Sequence, residues 1–548
     1  MKTYDVIVLG SGSTGSMLGS ILARNGASVL IIDGRSHPKL SAEGESVTPR
    51  AAVALRALSE RYHVPEIKTL TTFNNCSRIV NTSFGVRKHY GILLHKRGRP
   101  QDPRELNQLV IHSEQDAAHL FRPDTDTYLF NTAIKYGCAT RQNYPITRLE
   151  IDDNKVTVGG ADGSAYESRC VVDTTGRQSP LAAAFDLRED IPRFTHRSRS
   201  QWTHMINVRP ADEVFTAGRA AHKPPVPWHQ GTVYHVFEGG YVWVIPFDNH
   251  PRSISGLCSV GISLDPRRHP KDPSVSPDEE FAELTARFPD LARQFDQAVP
   301  LREWECTDCV PYSSTRVVGN RWLLIGNAAG YVDPLFSRDL SDTAEVIHVL
   351  AWRLLRAVKD DDFSAERFSY VERLQQALLD STDDLVSSAF ISFSDYALWN
   401  AVFRIWACDL LASTSRLSNA MTAFLADRVD DHFTALEDVR YPRLLWPDHD
   451  GFKKLFGEMV TQCQAFDGGL ISGGQAAAEL FRAIEEARFI SDNLAFTEPS
   501  ARFIHSRPQT IARALGAGPA RTVQQLTRLL PGNVRHVITA RGQKRPVA

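Results

Sequence analysis

The chain has 548 residues, with 62 lysines and arginines against 64 aspartates and glutamates, so its formal net charge is −2. Its 42% hydrophobic and 23% charged residues exclude a disordered chain, and the balanced charge argues against a nucleic-acid partner. No apolar run reaches the roughly 18 residues of a membrane helix or resembles a signal peptide, and cysteines are sparse, which favours a cytoplasmic protein without membrane association.

The N-terminal part of the chain has a strand–helix–strand pattern. Residues 4–9 form an apolar, β-branched run that is typical of a strand buried on both faces of a parallel sheet. Residues 13–25 have helical spacing, and residues 28–33 form a second strand. This order predicts a βαβ unit.

The later segments differ from the N-terminal part in composition and in the spacing of apolar residues. Residues 202–264 contain β-branched and aromatic runs between Gly, Pro and Asn, which predicts antiparallel strands. Residues 276–295 return to helical spacing, and residues 321–330 have a strand, a tight turn and a helix start. Beyond about residue 341 the pattern is mostly helical, with amphipathic or broadly apolar segments.

The loop after the first strand is rich in glycine. Gly10 allows a sharp turn, Gly12 lets the backbone approach a pyrophosphate, and Gly15 lets the helix pack closely on the sheet. Asp33 ends the next strand about twenty residues on, where a carboxylate accepts hydrogen bonds from the ribose hydroxyls of a dinucleotide. The loop therefore predicts dinucleotide binding, with the phosphates at the helix N-terminus.

Three later segments favour FAD over NAD as this dinucleotide. Arg122 with Asp126 resembles the Arg-x-x-x-Asp helix of FAD-dependent aromatic hydroxylases, and residues 171–176 resemble their strand end. The segment Gly326-Asn327-Ala-Ala-Gly…Asp333-Pro resembles the part of those enzymes near the ribityl chain and the pyrimidine ring. One departure is Asn327, which stands where an aspartate is usual and keeps hydrogen-bonding capacity without the charge.

Two further elements resemble flavin-dependent halogenases. Gly44-Glu45-Ser46 follows the second strand, and Trp243-Val-Ile-Pro matches the second half of the family signature Trp-x-Trp-x-Ile-Pro, with Tyr241 in place of the first Trp. The resemblance is closest to the halogenases of aromatic polyketide pathways, including the tetracycline chlorinases, over residues 1 to about 345. Residues 36–38, 64–68 and 333–338 also carry it.

The resemblance implies an α/β fold with three regions. A Rossmann-type FAD-binding domain of the aromatic hydroxylase and halogenase superfamily covers residues 1–200 together with 300–345. An antiparallel β-sheet domain on the substrate side covers 201–299, and a helical region covers 346–548.

The resemblance also implies the reaction. A separate flavin reductase supplies reduced FAD, and oxygen then gives a flavin hydroperoxide that oxidises a halide to hypohalous acid. The acid travels to a pocket where a lysine holds it while an electron-rich aromatic, such as a phenolic polyketide, attacks the halogen. The expected partners are a flavin reductase, a halide ion and a small aromatic substrate, either free or bound to a carrier protein.

Matching the motifs position by position yields the expected site. The expected FAD-binding residues are Gly10, Gly12, Ser13, Thr14, Gly15, Asp33, Glu45, Ser46, Arg122, Gly326, Asn327 and Asp333. The expected substrate or halide residues are Trp243, Pro334, Phe336, Ser337 and Asp339. No metal site is predicted, because Cys306 and Cys309 are not accompanied by a second cysteine pair or a histidine pair.

The catalytic lysine of the family lies in a strand soon after the Gly-Glu-Ser element, and Lys88 fits that position. The register is open by one residue, so Arg87 is the alternative. An arginine stays protonated and forms a chloramine less readily than a lysine does.

The halide segment departs from the family pattern Phe-Ser-x-Gly, because Asp339 stands where glycine is expected. A carboxylate about 4 Å from chloride repels it by about 1–4 kcal/mol, which Arg338 can offset by pairing with either anion. This departure keeps two alternatives open: a halogenase-like monooxygenase or oxidase that does not use halide, and a flavin-binding accessory protein.

Overall fold

The computed structural model of the chain describes residues 3–37, 44–111, 116–190, 192–215, 223–439, 447, 449–487, 489–490 and 495–506. This part contains a largely parallel sheet, a largely antiparallel sheet and a thick helical layer. The predicted α/β class is confirmed. The end of the predicted helical region, from residue 507 onward, lies outside the described residues.

The first sheet carries the βαβ unit. Its strands in spatial order are β17 (Val318–Gly319), β18 (Trp322–Leu324), β10 (Ala165–Asp173), β1 (Thr3–Leu9), β2 (Val29–Ile32) and β7 (Ala139–Arg141), and β9 (Val156–Gly160) with β8 (Ile146–Ile151) extends from β10. The parallel registers align Leu9, Asp173 and Leu324 at one edge. The carboxyl ends of parallel strands, where ligands bind in such sheets, therefore meet at this edge.

The second sheet faces the helical layer. Its strands in spatial order are β15 (Val299–Pro300), β11 (Arg199–Ile206), β14 (Cys258–Leu264), β13 (Gly240–Pro246), β12 (Thr232–Phe237), β4 (His89–Leu94), β5 (Leu106–Ile111) and β19 (Phe503–Ser506), and β16 (Glu305–Thr307) pairs with β11. β3 (Gly85–Arg87) and β6 (Ala117–His119) form a separate antiparallel pair. The β13–β14 register places Tyr241 opposite Ser263, so both side chains can donate hydrogen bonds to the same acceptor.

The helices complete the fold. They are α1 (Ser13–Arg24), α2 (Pro49–Tyr62), α3 (Pro65–Thr69), α4 (Phe73–Asn75), α5 (Arg122–Lys135), α6 (Pro180–Ala184), α7 (Ala211–Phe215), α8 (Pro277–Ala286), α9 (Pro289–Phe295), α10 (Asp339–Asp360), α11 (Ser369–Ser392), α12 (Tyr396–Asp427), α13 (Asp431–Thr434), α14 (Asp450–Asp467) and α15 (Gly473–Glu486). α10 packs in the core of the first sheet, whereas α12 packs in the core of the second. The N-terminus of α10 therefore lies where the two cores meet. None of the described helices is long and apolar enough to cross a membrane.

The two sheets draw on segments that are distant in the sequence. The second sheet takes β4 and β5 from the predicted region 1–200 and β19 from the predicted region 346–548. The first sheet takes β17 and β18 from the predicted region 300–345, which suits a discontinuous domain. The exact domain division stays a prediction.

Five buried histidines predict instability in acid. Burial lowers the pKa of His89 to about 4 and of His95 and His119 to about 3, and it holds the pKa of His235 and His348 well below the usual value. Below about pH 6.5 the unfolded chain therefore binds protons that the folded chain does not, so the free energy of unfolding falls as the pH falls, by about 1.4 kcal/mol per pH unit for each excess proton.

Urea unfolding followed by circular dichroism at several pH values checks this expectation. The unfolding midpoint should fall steadily from about pH 6.5 to about pH 4. Burial raises the pKa of Asp173 and Asp339, so these two carboxyl groups stabilise the folded protein as the pH falls. They therefore offset part of the stability that the histidines lose. A midpoint that is independent of pH in this range would contradict the prediction.

Candidate active site

The glycine-rich loop is shaped for close backbone approach. Gly10 has φ +97°, and a Cβ there would lie 2.8 Å from Thr174 Oγ1. A Cβ on Gly15 would lie 2.0 Å from the Gly10 carbonyl oxygen, so α1 can pack this closely only with a glycine at its start. Gly12 is the N-cap of α1 and offers no side-chain acceptor, which leaves the N–H groups of the first turn to a ligand.

Asp33 lies at the end of β2 and holds the loop. Its Oδ2 accepts hydrogen bonds from the backbone N–H and the hydroxyl of Ser11, each at 2.7 Å. Its Oδ1 accepts the Arg35 N–H at 2.9 Å. The carboxylate thus fixes the loop conformation, and its predicted contact with a ribose stays a prediction.

The turn at Gly326 joins the loop from the opposite side. Gly326 has φ +57°, and a Cβ there would lie 3.7 Å from Thr14 Cγ2. Gln375 on α11 clamps this turn, since it accepts the Gly326 N–H at 2.9 Å and donates to the Leu324 carbonyl at 2.7 Å. Sequence reasoning missed Gln375, because a single glutamine on an amphipathic helix carries no local signal.

Arg122 connects the elements of the cleft. It begins α5 and donates to both carboxylate oxygens of Asp126, at 3.1 and 3.2 Å. It also donates to Ser13 Oγ at 3.0 Å, which places its guanidinium beside the start of α1. Burial alone would lower the pKa of Arg122, but Asp126, Asp339 and Glu45 reverse this effect and raise it.

Asp339 lies in the cleft beside Arg122. A Cβ on Gly44 would be 3.1 Å from Arg122 Nη1 and 3.4 Å from Asp339 Oδ2, so these three residues meet. Burial raises the pKa of Asp339 to about 6, while the charge of Arg122 and a hydrogen bond from Asn327 act against this rise. Arg122 and Asn327 therefore offset only part of the cost of burying the Asp339 charge.

Arg338 pairs with other partners than Asp339, and its predicted pairing with a halide stays a prediction. Its guanidinium pairs with Asp342 at 3.4 Å and donates to Ser381 Oγ at 3.1 Å. Asp342 also pairs with Arg50 on α2. Arg338 thus belongs to an ion network with Asp342 and Arg50 at the edge of the pocket, and the charge that offsets Asp339 is that of Arg122.

Asp333 joins the halide segment to the second sheet. Burial alone would raise the pKa of Asp333, but the hydrogen bonds that it accepts lower the pKa. The predicted contact of Asp333 with FAD stays a prediction. The donors are Tyr241 Oη at 2.7 Å, Ser198 Oγ at 2.8 Å, Ser263 Oγ at 2.8 Å, His196 Nε2 at 3.2 Å and the Leu335 N–H at 3.0 Å.

The segment after Asp333 has an unusual backbone. Phe336 and Ser337 have φ of +70° and +54°, a left-handed conformation that is costly for residues other than glycine. The Phe336 ring stacks on Trp406 at 4.7 Å, and Ser337 Oγ lies 3.0 Å from Tyr234 Oη. The Ser337 N–H donates to the Pro334 carbonyl at 3.1 Å. Packing on α12 and β12 therefore maintains the turn.

A pocket lies between this turn, the Gly-Glu-Ser element and the second sheet. His204 donates to Glu45 at 3.0 Å, and Ser46 Oγ lies 3.0 Å from Thr232 Oγ1. The walls are rich in aromatic rings, which suits a flat ligand. The lining residues are Gly44, Glu45, Ser46, Trp202, Tyr234, Tyr241, Trp243, Ile245, Tyr331, Asp333, Pro334, Ser337, Arg338, Asp339 and Leu340.

Most of the predicted site residues come together in this cleft, but Lys88 and Phe336 do not line the pocket. Lys88 pairs with Asp116 at 3.5 Å on a partly exposed face, whereas Arg87 is fully buried. Phe336 points into the aromatic core under α12.

The catalytic role of Lys88 stays a prediction. Among the described residues, no group of three or more His, Cys, Asp or Glu is placed to hold a metal ion.

The chain is similar to known proteins over most of its length. A family model described as an FAD binding domain matches residues 3–362, so the chain is an FAD-dependent flavoprotein. The chain is 45% identical to tetracycline 7-halogenase of Kitasatospora aureofaciens, over 93% of this chain and 92% of that protein. It is 42% identical to monodechloroaminopyrrolnitrin halogenase of Pseudomonas fluorescens, over 90% of this chain and 86% of that protein.

Solved structures agree with this assignment. The crystal structure of halogenase PltM in complex with phloroglucinol and FAD has a TM-score of 0.87 and 31% identity, and the match covers 92% of this chain and all of that one. The chain belongs to the flavin-dependent halogenases. These relatives favour a halide-using enzyme over both the halide-free alternative and the accessory protein.

Proposed function

We propose that this protein is an FAD-dependent halogenase that chlorinates an electron-rich, phenolic polyketide-like aromatic. The observation that carries the proposal is that Arg122 joins the start of α1 to Gly44, which lines a pocket with aromatic walls together with the Asp333–Ser337 turn. The relatives named as acting on tetracycline and on an aminopyrrolnitrin support an aromatic substrate. A cytoplasmic location fits the sparse cysteines and stays part of the proposal.

The residues present fit FAD. The bare backbone at Gly10 and Gly15 and the N–H groups at the start of α1 suit the pyrophosphate. Ser13, Arg122 and Asn327 offer polar atoms along the cleft toward the ribityl chain. Trp243 and Tyr241 form an aromatic wall beside the space for the flavin ring. We assign these residues to FAD binding on this geometry.

Reduced FAD, when bound, supplies the electrons by which oxygen converts halide to hypohalous acid. The protein contributes position and exclusion of water. Ser337 and Asp339 place the halide segment at the N-terminus of α10, whose dipole favours an anion. Glu45 and Ser46, held by His204 and Thr232, close the opposite side of the pocket. A flavin reductase and a halide ion are the partners that this scheme needs.

Mass spectrometry of reaction products tests the proposal. The protein is incubated with FAD, a generic flavin reductase, oxygen, chloride or bromide, and a panel of phenolic polyketides. We expect products that carry the isotope pattern of one added halogen at a single ring position. A parallel panel with the same aromatics loaded on a carrier protein distinguishes free from carrier-bound substrates.

Two controls make the result specific to the protein. Reactions without halide should give no modified product, and dilute hypochlorite without the protein should give a mixture of positions. The halogenase assignment would be wrong if reduced flavin is consumed and the products gain one oxygen or lose two hydrogens, whether or not halide is present.

A further inference from the structure

A second pocket lies in the helical layer, between α2, α10, α11, α12 and α13. It encloses about 720 Å³ of space between atoms, with the solvent at its mouth included, against about 590 Å³ by the same measure for the pocket of the candidate active site. The two pockets share no lining residue, so this space, the helical-layer pocket, is a separate one. Its apolar lining includes Ala54, Ala57, Val349, Leu374, Leu417 and Phe433.

Small side chains on α2 keep the helical-layer pocket open. Ala54 and Ala57 are buried and lie three residues apart on α2, where leucines would fill part of the space. Rings also line it, namely those of Phe433, His348 and Tyr370. Protein interiors leave few voids larger than a water molecule, and a concave apolar space with ring-bearing walls suits a flat aromatic ligand.

His348 supplies a polar group with a defined direction. The residue is only 7% exposed, and its ring packs edge-on against Phe433, with centroids 4.6 Å apart. Arg61 Nη1 lies 3.3 Å from His348 Nε2, and a guanidinium can only donate, so Nε2 accepts. Burial and the charge of Arg61 hold the pKa of His348 well below its usual value. The neutral ring therefore carries its proton on Nδ1.

This Nδ1–H has no acceptor within the described part of the chain. The bond from Arg61 is the one hydrogen bond of the His348 ring among those residues, and His348 lines the helical-layer pocket. A buried donor without a partner costs free energy that a ligand oxygen in the pocket would recover. Tyr370 adds a hydroxyl that likewise has no hydrogen bond to a described residue, and burial raises its pKa to about 12.

The charged side chains at the rim of the helical-layer pocket are paired with one another. Arg50 pairs with Asp342 and Glu345, and Glu437 pairs with Arg353. These pairs neutralise their own charges. An ionised ligand would lose its water without gaining a counter-charge from them, so the pocket favours a neutral ligand.

We propose that the helical-layer pocket is a second binding site, for a neutral, flat aromatic molecule that carries a hydroxyl or carbonyl oxygen. The oxygen accepts the hydrogen bond from His348 Nδ1–H, and the rings lie against Leu417 and Phe433. The site goes beyond the proposed function and does not depend on halogenation. Asp342 pairs with Arg50 in this pocket and with Arg338 in the active-site pocket, so the two pockets are neighbours.

Fluorescence titration of the FAD-loaded, full-length protein tests the proposal, with 1-naphthol as the probe. We expect 1-naphthol to bind more tightly than naphthalene, which lacks the acceptor oxygen. It should also bind at least about tenfold more tightly than 1-naphthoate, whose carboxylate must be desolvated. Equal or tighter binding of naphthalene would overturn the hydrogen bond to His348, and tighter binding of 1-naphthoate would overturn the assignment of a neutral ligand.

Two pairs of variants locate the bound probe. L417W places a larger ring in the helical-layer pocket and should weaken 1-naphthol binding at least about tenfold, whereas L425W, on the same helix and outside the lining, should not. H348Q keeps an acceptor for Arg61 but loses the Nδ1–H donor, so affinity should fall about three- to tenfold. H348N keeps a donor near the position of Nδ1 and should retain more affinity than H348Q. Circular dichroism and urea midpoints identify the variants that are folded.

Contrary outcomes separate this inference from the proposed function. If the unmodified protein does not bind 1-naphthol, or if L417W and L425W bind it equally well, the inference is wrong. Equal affinities of folded H348Q and H348N would remove His348 from the site and overturn the inference as stated. Because each readout is binding, a failure here leaves the halogenase assignment intact. A protein that binds 1-naphthol as expected but makes no halogenated product would contradict the proposed function alone.

Discussion

The substitution Asp339→Asn is expected to lower the KM for chloride about tenfold at neutral pH. Burial raises the pKa of Asp339 to about 6, so the side chain is a carboxylate at neutral pH and lies in the segment proposed to bind the halide. A unit charge within about 7 Å, at an effective dielectric constant of 20–80, contributes about 0.6–2.4 kcal/mol of repulsion.

The pH dependence gives this prediction a definite sign. Asp339 loses its proton as the pH rises through about 6, so the chloride KM of the unmodified enzyme should rise across that range and level off above it. The groups facing Asp339 are Arg122, Asn327 and Asp342, and the charge of Asp342 favours the neutral form. In D339N and D339G the step near pH 6 should be absent.

Steady-state chlorination at saturating FAD, with chloride varied at several pH values, makes this measurement. D308N is a matched control, because Asp308 is an exposed carboxylate whose ion pair is with Lys271, 3.5 Å away. An unchanged chloride KM in D339N would show that Arg122 and Asn327 already neutralise the carboxylate. A higher KM would mean that Asp339 supports the halide segment instead of opposing the ion.

Replacing Asp333 by alanine is expected to destabilise the protein by about 3–5 kcal/mol. The buried carboxylate accepts hydrogen bonds from Tyr241, Ser198, Ser263, His196 and the Leu335 N–H. Removing it leaves these buried donors without their acceptor. The turn that carries Phe336 and Ser337 would also lose its link to the second sheet, so FAD affinity should fall.

Urea unfolding with a circular dichroism readout quantifies the loss for Asp333. D333N keeps one acceptor oxygen and should cost less than D333A. Y241F removes a single donor and should cost about 1 kcal/mol. If the free energy of unfolding of D333A lies within about 1 kcal/mol of that of the unmodified protein, the carboxylate is not the link between the turn and the sheet.

Local sequence signals predicted the dinucleotide loop well. Strand, turn and helix from residue 3 to residue 24 are contiguous, and the close approach of Gly15 to the Gly10 carbonyl lies inside that stretch. Arg122 and Asp126 are one helical turn apart, so their ion pair also follows from spacing. The antiparallel strands and the helical layer followed from periodicity.

The register at residues 87 and 88 was beyond local prediction. Side chains alternate between the faces of a strand, so a shift of one residue exchanges interior and surface. Arg87 and Lys88 are both long cations, and composition does not distinguish them. The pairing of Gly85–Arg87 with Ala117–His119, and the contacts to Val47 and Thr232, place the arginine inside.

The βαβ unit, the flavin-binding motifs and the family could be predicted from the sequence, because those features depend on short runs of residues close together in the chain. The groups that share the cleft became visible only in the folded structure. Asp339 meets Arg122 and Asn327, and Asp333 collects its donors from strands of the second sheet. Such partners come from separate segments that sheet pairing and helix packing bring together, and hydrogen bonds and charges act over a few ångströms of space, whatever the separation along the chain.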